Sequence, residues 1–252
     1  ADWDRCCTLL ARQAPWWEPG TASGYQALNH GFLVGELIRR ITGQKTGAFF
    51  AEQLAKPLGA DFHIGLAPSE FHRVANVVPP PPLPIEFDKL DPQSPMVRVF
   101  TNPGPQAEAS WTPLWRQADI GAANGHGNAR SVAQVQSVVA CGGEAGGRRF
   151  LKESTLARIW DQQAEGPDLV LGVPLKLGIG YGLPQPDIVP YLPQGSDERI
   201  CFWGGWGGSL VVADQRRRLC FSYMMNKMAP GIVGGPNVAA LAGCLYDILG
   251  RS

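Results

Sequence analysis

An α+β fold is predicted for this chain of 252 residues on three observations. Apolar residues recur at helical spacing in the first third and again over 132–160, and the period changes to that of strands after about residue 168. No βαβ alternation joins the two parts, so an antiparallel sheet flanked by helices is expected rather than a doubly wound one. The organisation reads as a mainly helical part, 1–167, with a long proline-rich loop at 63–118, and a part at 168–252 holding antiparallel strands and a C-terminal helix.

The chain opens directly into a helical pattern at Trp3. Leu33, Val34, Leu37, Ile38 and Ile41 form the next helical stripe, which Gly43 should stop. A following helix is expected over 47–55, with Thr46 as its N-cap and an end before Pro57. Between 63 and 118, Pro79–Pro82, Pro92, Pro95, Pro103, Pro105 and Pro113 forbid long regular elements, which points to a lid or wrapping loop. Helical spacing returns at Val132, Val135, Val138 and Val139, then at Leu156, Ile159 and Trp160. Strand-like runs follow at 177–183, 199–203, 209–213 and 219–225, the last two joined by the polar hairpin loop Asp214–Arg218. A final helix over 238–249 carries Leu241, Leu245 and Ile248 on one face.

Composition narrows the function classes. With 22 basic and 22 acidic residues, the formal charge is zero and offers no electrostatic attraction to nucleic acid or an anionic membrane. No run of 18 apolar residues could cross a bilayer. Gly (31) and Pro (22) together make about a fifth of the chain, which suits an enzyme with long structured loops. The six cysteines have neither zinc spacing nor a plausible adjacent disulfide, and they read as reduced structural thiols of a cytoplasmic protein. The first residues lack the basic and apolar regions of a signal peptide. No metal or dinucleotide motif appears, so no cofactor is expected.

Two segments carry the chemistry. Pro19-Gly20-Thr21-Ala22-Ser23-Gly24-Tyr25 delivers a tyrosine to a helix entrance between glycines, and Trp203-Gly204-Gly205-Trp206-Gly207-Gly208-Ser209 precedes a hairpin strand. Together with Asn124-Gly125-His126-Gly127-Asn128 before a helix, their order and spacing resemble the serine β-lactamase/penicillin-recognising superfamily. The nearest branch is the β-lactamase-like carboxylesterases (family VIII esterases), related to class C β-lactamases. The resemblance covers nearly the whole chain and implies a β-lactamase/transpeptidase-like fold.

It also implies roles. Tyr25 takes the place of the tyrosine that shuttles a proton, a role for which a phenol, ordinarily near pKa 10, needs a neighbouring cation. The triplet Trp203-Gly204-Gly205 stands where lactamases have Lys-Thr-Gly, and the backbone N–H of Trp206 would help hold the oxyanion. Trp203 in place of lysine removes a carboxylate anchor and leaves an apolar wall, favouring neutral esters. Asn124 and His126 would border the substrate pocket. The literal Lys45-Thr46-Gly47 lies between two predicted helices instead of on a strand, and is set aside.

The family's nucleophile motif, Ser-x-x-Lys, occurs nowhere in the 252 residues, and neither does Gly-x-Ser-x-Gly. The tyrosine motif also has Ala27 where lactamases carry asparagine. The expectation is a serine hydrolase of carboxylesterase type acting on small neutral esters through an acyl-enzyme, seen without its nucleophile segment. A non-catalytic binding protein on the same fold, an acyltransferase and a β-lactamase are the alternatives. Oligomeric state is left open.

Overall fold

The computed structural model describes residues 2–82 and 85–250. The chain folds as two compact units, Ala1–Val78 with Ile85–Asn128 and Leu169–Leu171, and Pro79–Pro84 with Ala129–Asp168 and Gly172–Ser252. Within the second unit, the helices after residue 129 pack on the sheet.

In the first unit, helix α1 (Trp3–Arg12) is capped by Asp2, whose carboxylate accepts from Arg5 N–H. Helix α2 (Asn29–Thr42) ends at Gly43, which takes the left-handed conformation at φ 74° and returns its N–H to the Arg39 carbonyl. The two helices meet at small residues. A methyl group on Gly35 would lie 2.6 Å from the Trp3 ring and from Thr46 Oγ1. The buried residues of α2 are Gly31, Phe32 and Gly35, while Leu37 and Ile41 are 60% and 82% exposed.

Helix α3 (Thr46–Phe50) continues through a π turn at Ala51–Ala55 into α4 (Lys56–Leu58). The helical run therefore passes Pro57 instead of ending before it. The wider turn, with Lys56 N–H bonded to the Ala51 carbonyl, eases the clash that a proline ring makes with the preceding turn of an α-helix. Lys45, not Thr46, is the N-cap. Thr46 is the first helical residue, and Asp119 Oδ2 accepts from Gly47 N–H at 2.8 Å in place of a hydroxyl cap. Strand β1 (His63–Ile64) follows. The proline-rich segment then holds only short elements, including α5 (Pro95–Thr101) and α6 (Pro113–Gln117). In both helices proline occupies the first turn behind a capping hydroxyl, Ser94 or Thr112. Strand β2 (Gly125–His126) closes the unit by pairing antiparallel with β1.

The second unit begins with α7 (Ala129–Ala140), the two-residue strands β3 (Glu144–Ala145) and β4 (Arg148–Arg149), and α8 (Glu153–Ala157). Strand β5 (Ala164–Pro167) pairs antiparallel with β6 (Pro174–Leu177). The run expected as a strand over 177–183 joins the sheet only through bridges Leu177↔Gly182 and Gly182↔Phe202, since Gly180 turns the chain with φ 77°. Strands β7 (Ile200–Gly204), β8 (Leu210–Asp214) and β9 (Leu219–Tyr223) form an antiparallel meander.

Alternation places Ile200, Phe202, Leu210 and Val212 on one face, packed with Val238, Ala242 and Tyr246 of helix α9 (Pro236–Leu249). Cys201 and Ala213 point to the other face, against Val139 and Ala140 of α7 and Leu156 of α8. Each large side chain so buried contributes roughly 1.5–3 kcal/mol. Leu241 and Ile248 of the same helix are 52% and 83% exposed. Asp214 ties the hairpin to α9, accepting from Arg217 N–H at 2.9 Å and from the Tyr246 hydroxyl at 3.2 Å.

Candidate active site

In the second unit, the hairpin between β7 and β8 brings Trp203, Gly204, Gly205 and Trp206 into one continuous edge. Gly204 has no room for a side chain, because a methyl group would lie 2.6 Å from the Ile232 carbonyl. Gly205 N–H bonds to the Ser209 carbonyl, and Gly208 N–H returns to the Gly205 carbonyl at 3.0 Å. That second bond closes a turn with Trp206 and Gly207 at its centre. Gly207 supplies the positive φ (99°) that a type II turn asks of its third residue. A second strand of backbone clamps the turn: Gly207 N–H donates to Gly231 and its carbonyl accepts from Ala229 N–H at 2.8 Å.

Trp206 N–H makes no hydrogen bond among the described residues. Its indole Nε1 is buried and also lacks a partner. Such a fixed, unspent backbone donor is what an oxyanion requires. Trp203, 38% exposed, lies opposite Val211 on the adjacent strand and presents apolar surface beside the turn.

In the first unit, Tyr25 is half-buried on an irregular segment four residues ahead of α2. The first turn of α2 rests directly on the loop that carries Asn124. A methyl group on Gly31 would lie 2.6 Å from Ala122 N. Asn124 is 1% exposed and its amide is fully used. Oδ1 accepts from Ile120 N–H at 3.1 Å, while Nδ2 donates to the carbonyls of Trp115 and Ala118. Its side chain is therefore a tie within the loop.

His126, two residues on, is half-buried. Burial is the largest influence on its imidazole and holds it below the ordinary histidine range, so the ring is neutral at neutral pH. Its Nδ1 is buried without a partner among the described residues. Directly opposite stands His63, whose Nε2 lies 3.1 Å from Asp61 Oδ1. Sequence reasoning missed this pairing, since two strands of two residues each leave no periodic signal. Lys45-Thr46-Gly47 sits at the start of α3, off any strand, as expected.

Among the described residues, no helix is long and apolar enough to cross a membrane, and no group of three or more His, Cys, Asp or Glu could hold a metal ion. All six cysteines are free.

Comparison with known proteins agrees with this geometry. The chain is 29% identical over 222 residues to "Esterase/beta-lactamase LipL" of Mycobacterium tuberculosis (strain ATCC 25618 / H37Rv), covering 84% of this chain and 50% of that protein. Among solved structures, a family VIII carboxylesterase is 35% identical with a TM-score of 0.86, over 98% of this chain and 64% of its own. A penicillin-binding protein homologue from Caulobacter crescentus is 31% identical with a TM-score of 0.85, again over 98% and 64%. EstA from Arthrobacter nitroguajacolicus Rue61a is 27% identical with a TM-score of 0.83, over 98% and 65%. The chain thus spans half the length of the curated relative and under two thirds of these structures. Residues 1–242 match the family described as Beta-lactamase, and with that coverage and the shared β-lactamase/transpeptidase-like fold the chain belongs to the beta-lactamase family.

Proposed function

We propose that this chain forms part of a carboxylesterase that hydrolyses small neutral esters through an acyl-enzyme, and that it supplies the tyrosine and an oxyanion donor while the Ser-x-x-Lys serine and lysine lie outside these 252 residues. The observation that carries the reading is the Gly205–Gly208 turn, which holds the Trp206 N–H rigid and unspent beside the apolar Trp203. A serine carried by a Ser-x-x-Lys segment outside these 252 residues attacks the ester carbonyl. The carbonyl oxygen gains charge and is held by Trp206 N–H, a donor whose loss costs ~3–4 kcal/mol of transition-state stabilisation. Tyr25 relays the serine proton to the departing alcohol, and water then resolves the acyl-enzyme.

The exposed apolar stripes on α2 (Leu33, Val34, Leu37, Ile41) and α9 (Leu241, Ile248) support the same reading, as surfaces for further chain to cover. Trp203 supports neutral over anionic substrates, because it stands where lactamases carry a lysine. Six free thiols, of which Cys201 is buried, support a reducing, cytoplasmic setting.

The absence of Ser-x-x-Lys favours one second reading, a binding protein that keeps the pocket without the chemistry. Hydrolysis of p-nitrophenyl butyrate by the product of the complete reading frame separates the two. Turnover that disappears when the serine of its Ser-x-x-Lys is replaced is the expected result. A complete frame with no such motif and no turnover would establish the binding protein instead.

A further inference from the structure

The proton-relay reading needs Tyr25 to be held still, yet Tyr25 stands outside any helix or named strand. The residues immediately before it are each fixed from a different direction. Ala22 is held by its carbonyl, which accepts from the indole N–H of Trp17 at 3.1 Å. Ser23 is held by its carbonyl, which accepts from Leu169 N–H at 2.9 Å. Gly24 is held by contact: the six-membered ring of Trp17 covers its Cα so closely that a methyl group there would lie 2.7 Å from Trp17 Cζ2, with Cη2 closer still. Gly24 has no positive φ. Its lack of a side chain therefore serves the Trp17 ring and not the backbone conformation. The neighbouring Trp16 is secured in turn by Arg98 of α5, whose guanidinium carbon lies 3.6 Å from the ring centroid.

We infer that Trp17 is a positioning residue for Tyr25: its indole grips the two residues flanking Ser23 and so fixes where the tyrosine emerges from the loop. The inference rests on the proposed role of Tyr25, but the grip itself can be read without any ester. One side chain performs two functions here, a hydrogen bond and a packing surface. Trp17→Phe keeps an aromatic ring against Gly24 and deletes the donor to Ala22. Gly24→Ala drives the rigid indole, ring and N–H together, off the loop.

The test is a ¹³C spectrum of the 252-residue chain with labelled tyrosine, which gives five ring signals, that of Tyr25 being assigned by its loss in Tyr25→Phe. Gly24→Ala is expected to shift and broaden the Tyr25 signal while Tyr181, Tyr191, Tyr223 and Tyr246 stay in place. Trp17→Phe is expected to produce a smaller shift of the same signal. An unmoved Tyr25 signal in Gly24→Ala would overturn the inference, and so would a common shift of all five signals in both variants, which would mark a structural effect on the whole chain. The outcome is independent of catalysis. A displaced Tyr25 signal together with undiminished hydrolysis in Tyr25→Phe would keep the grip and remove the relay.

Discussion

The Gly205–Gly208 turn of the second unit and the tyrosine loop of the first are held by opposite means. At Gly205–Gly208 the useful group is a backbone N–H, and backbone holds it: hydrogen bonds to the carbonyls of Gly231 and Ser209 and from Ala229 N–H, with glycine at each point of close approach. At Ala22–Tyr25 the useful group is a side chain, and a side chain, Trp17, holds Ala22 and Gly24 ahead of it. A backbone donor can be placed only by fixing φ and ψ, so the cost falls on residues that must be glycine. A phenol can be placed through packing, which tolerates more variation. The turn should therefore be brittle and the loop compliant.

The largest expected effect comes from breaking the turn. Gly207→Ala puts a methyl group at φ 99° and 2.7 Å from Met225 and Met228. It should lower kcat for p-nitrophenyl butyrate on the order of 10²–10³-fold, with KM much less affected. Tyr25→Phe should cost about 10²-fold in kcat and leave stability within roughly 0.5 kcal/mol. If Gly207→Ala proves the milder of the two, the contrast between brittle turn and compliant loop is wrong.

A third substitution probes the loop beneath the tyrosine. Asn124→Ala abandons the Ile120 N–H and the carbonyls of Trp115 and Ala118, and should cost about 2–4 kcal/mol by thermal or urea unfolding. A cost below about 0.5 kcal/mol would show that these hydrogen bonds do not hold the loop.

The smallest effect is a pH dependence at His126. Its folded pKa lies below the unfolded value near 6.5, so protons bind the unfolded chain more tightly. Stability from this group is complete above about pH 6.5 and is lost as the pH falls through the folded value. His126→Phe should therefore lose less stability than the wild type between pH 7.5 and 5, read as the change in Tm. Equal losses in both proteins would show that the imidazole is not desolvated.

Much of the fold was legible in the chain, for local reasons. Gly43 stops α2, and β7, β8 and β9 lie where alternation put them, because short-range geometry dictates both. Side-chain period reports what is apolar, not what stands beside it, so the exposure of Leu37, Ile41, Leu241 and Ile248 was not legible. The Trp203–Trp206 segment stood out through its resemblance to a family motif, whereas the contacts of Trp17 and Asp119 depend on partners that sequence spacing does not reveal.

The central claim is that these residues serve a nucleophile lying outside them. A fluorophosphonate probe, which forms a stable adduct with activated serines, tests it by intact mass and peptide mapping. The 252-residue chain should remain unlabelled, while the product of the complete reading frame should gain one adduct at the serine of a Ser-x-x-Lys. An adduct on any serine among the 252 residues would contradict the account.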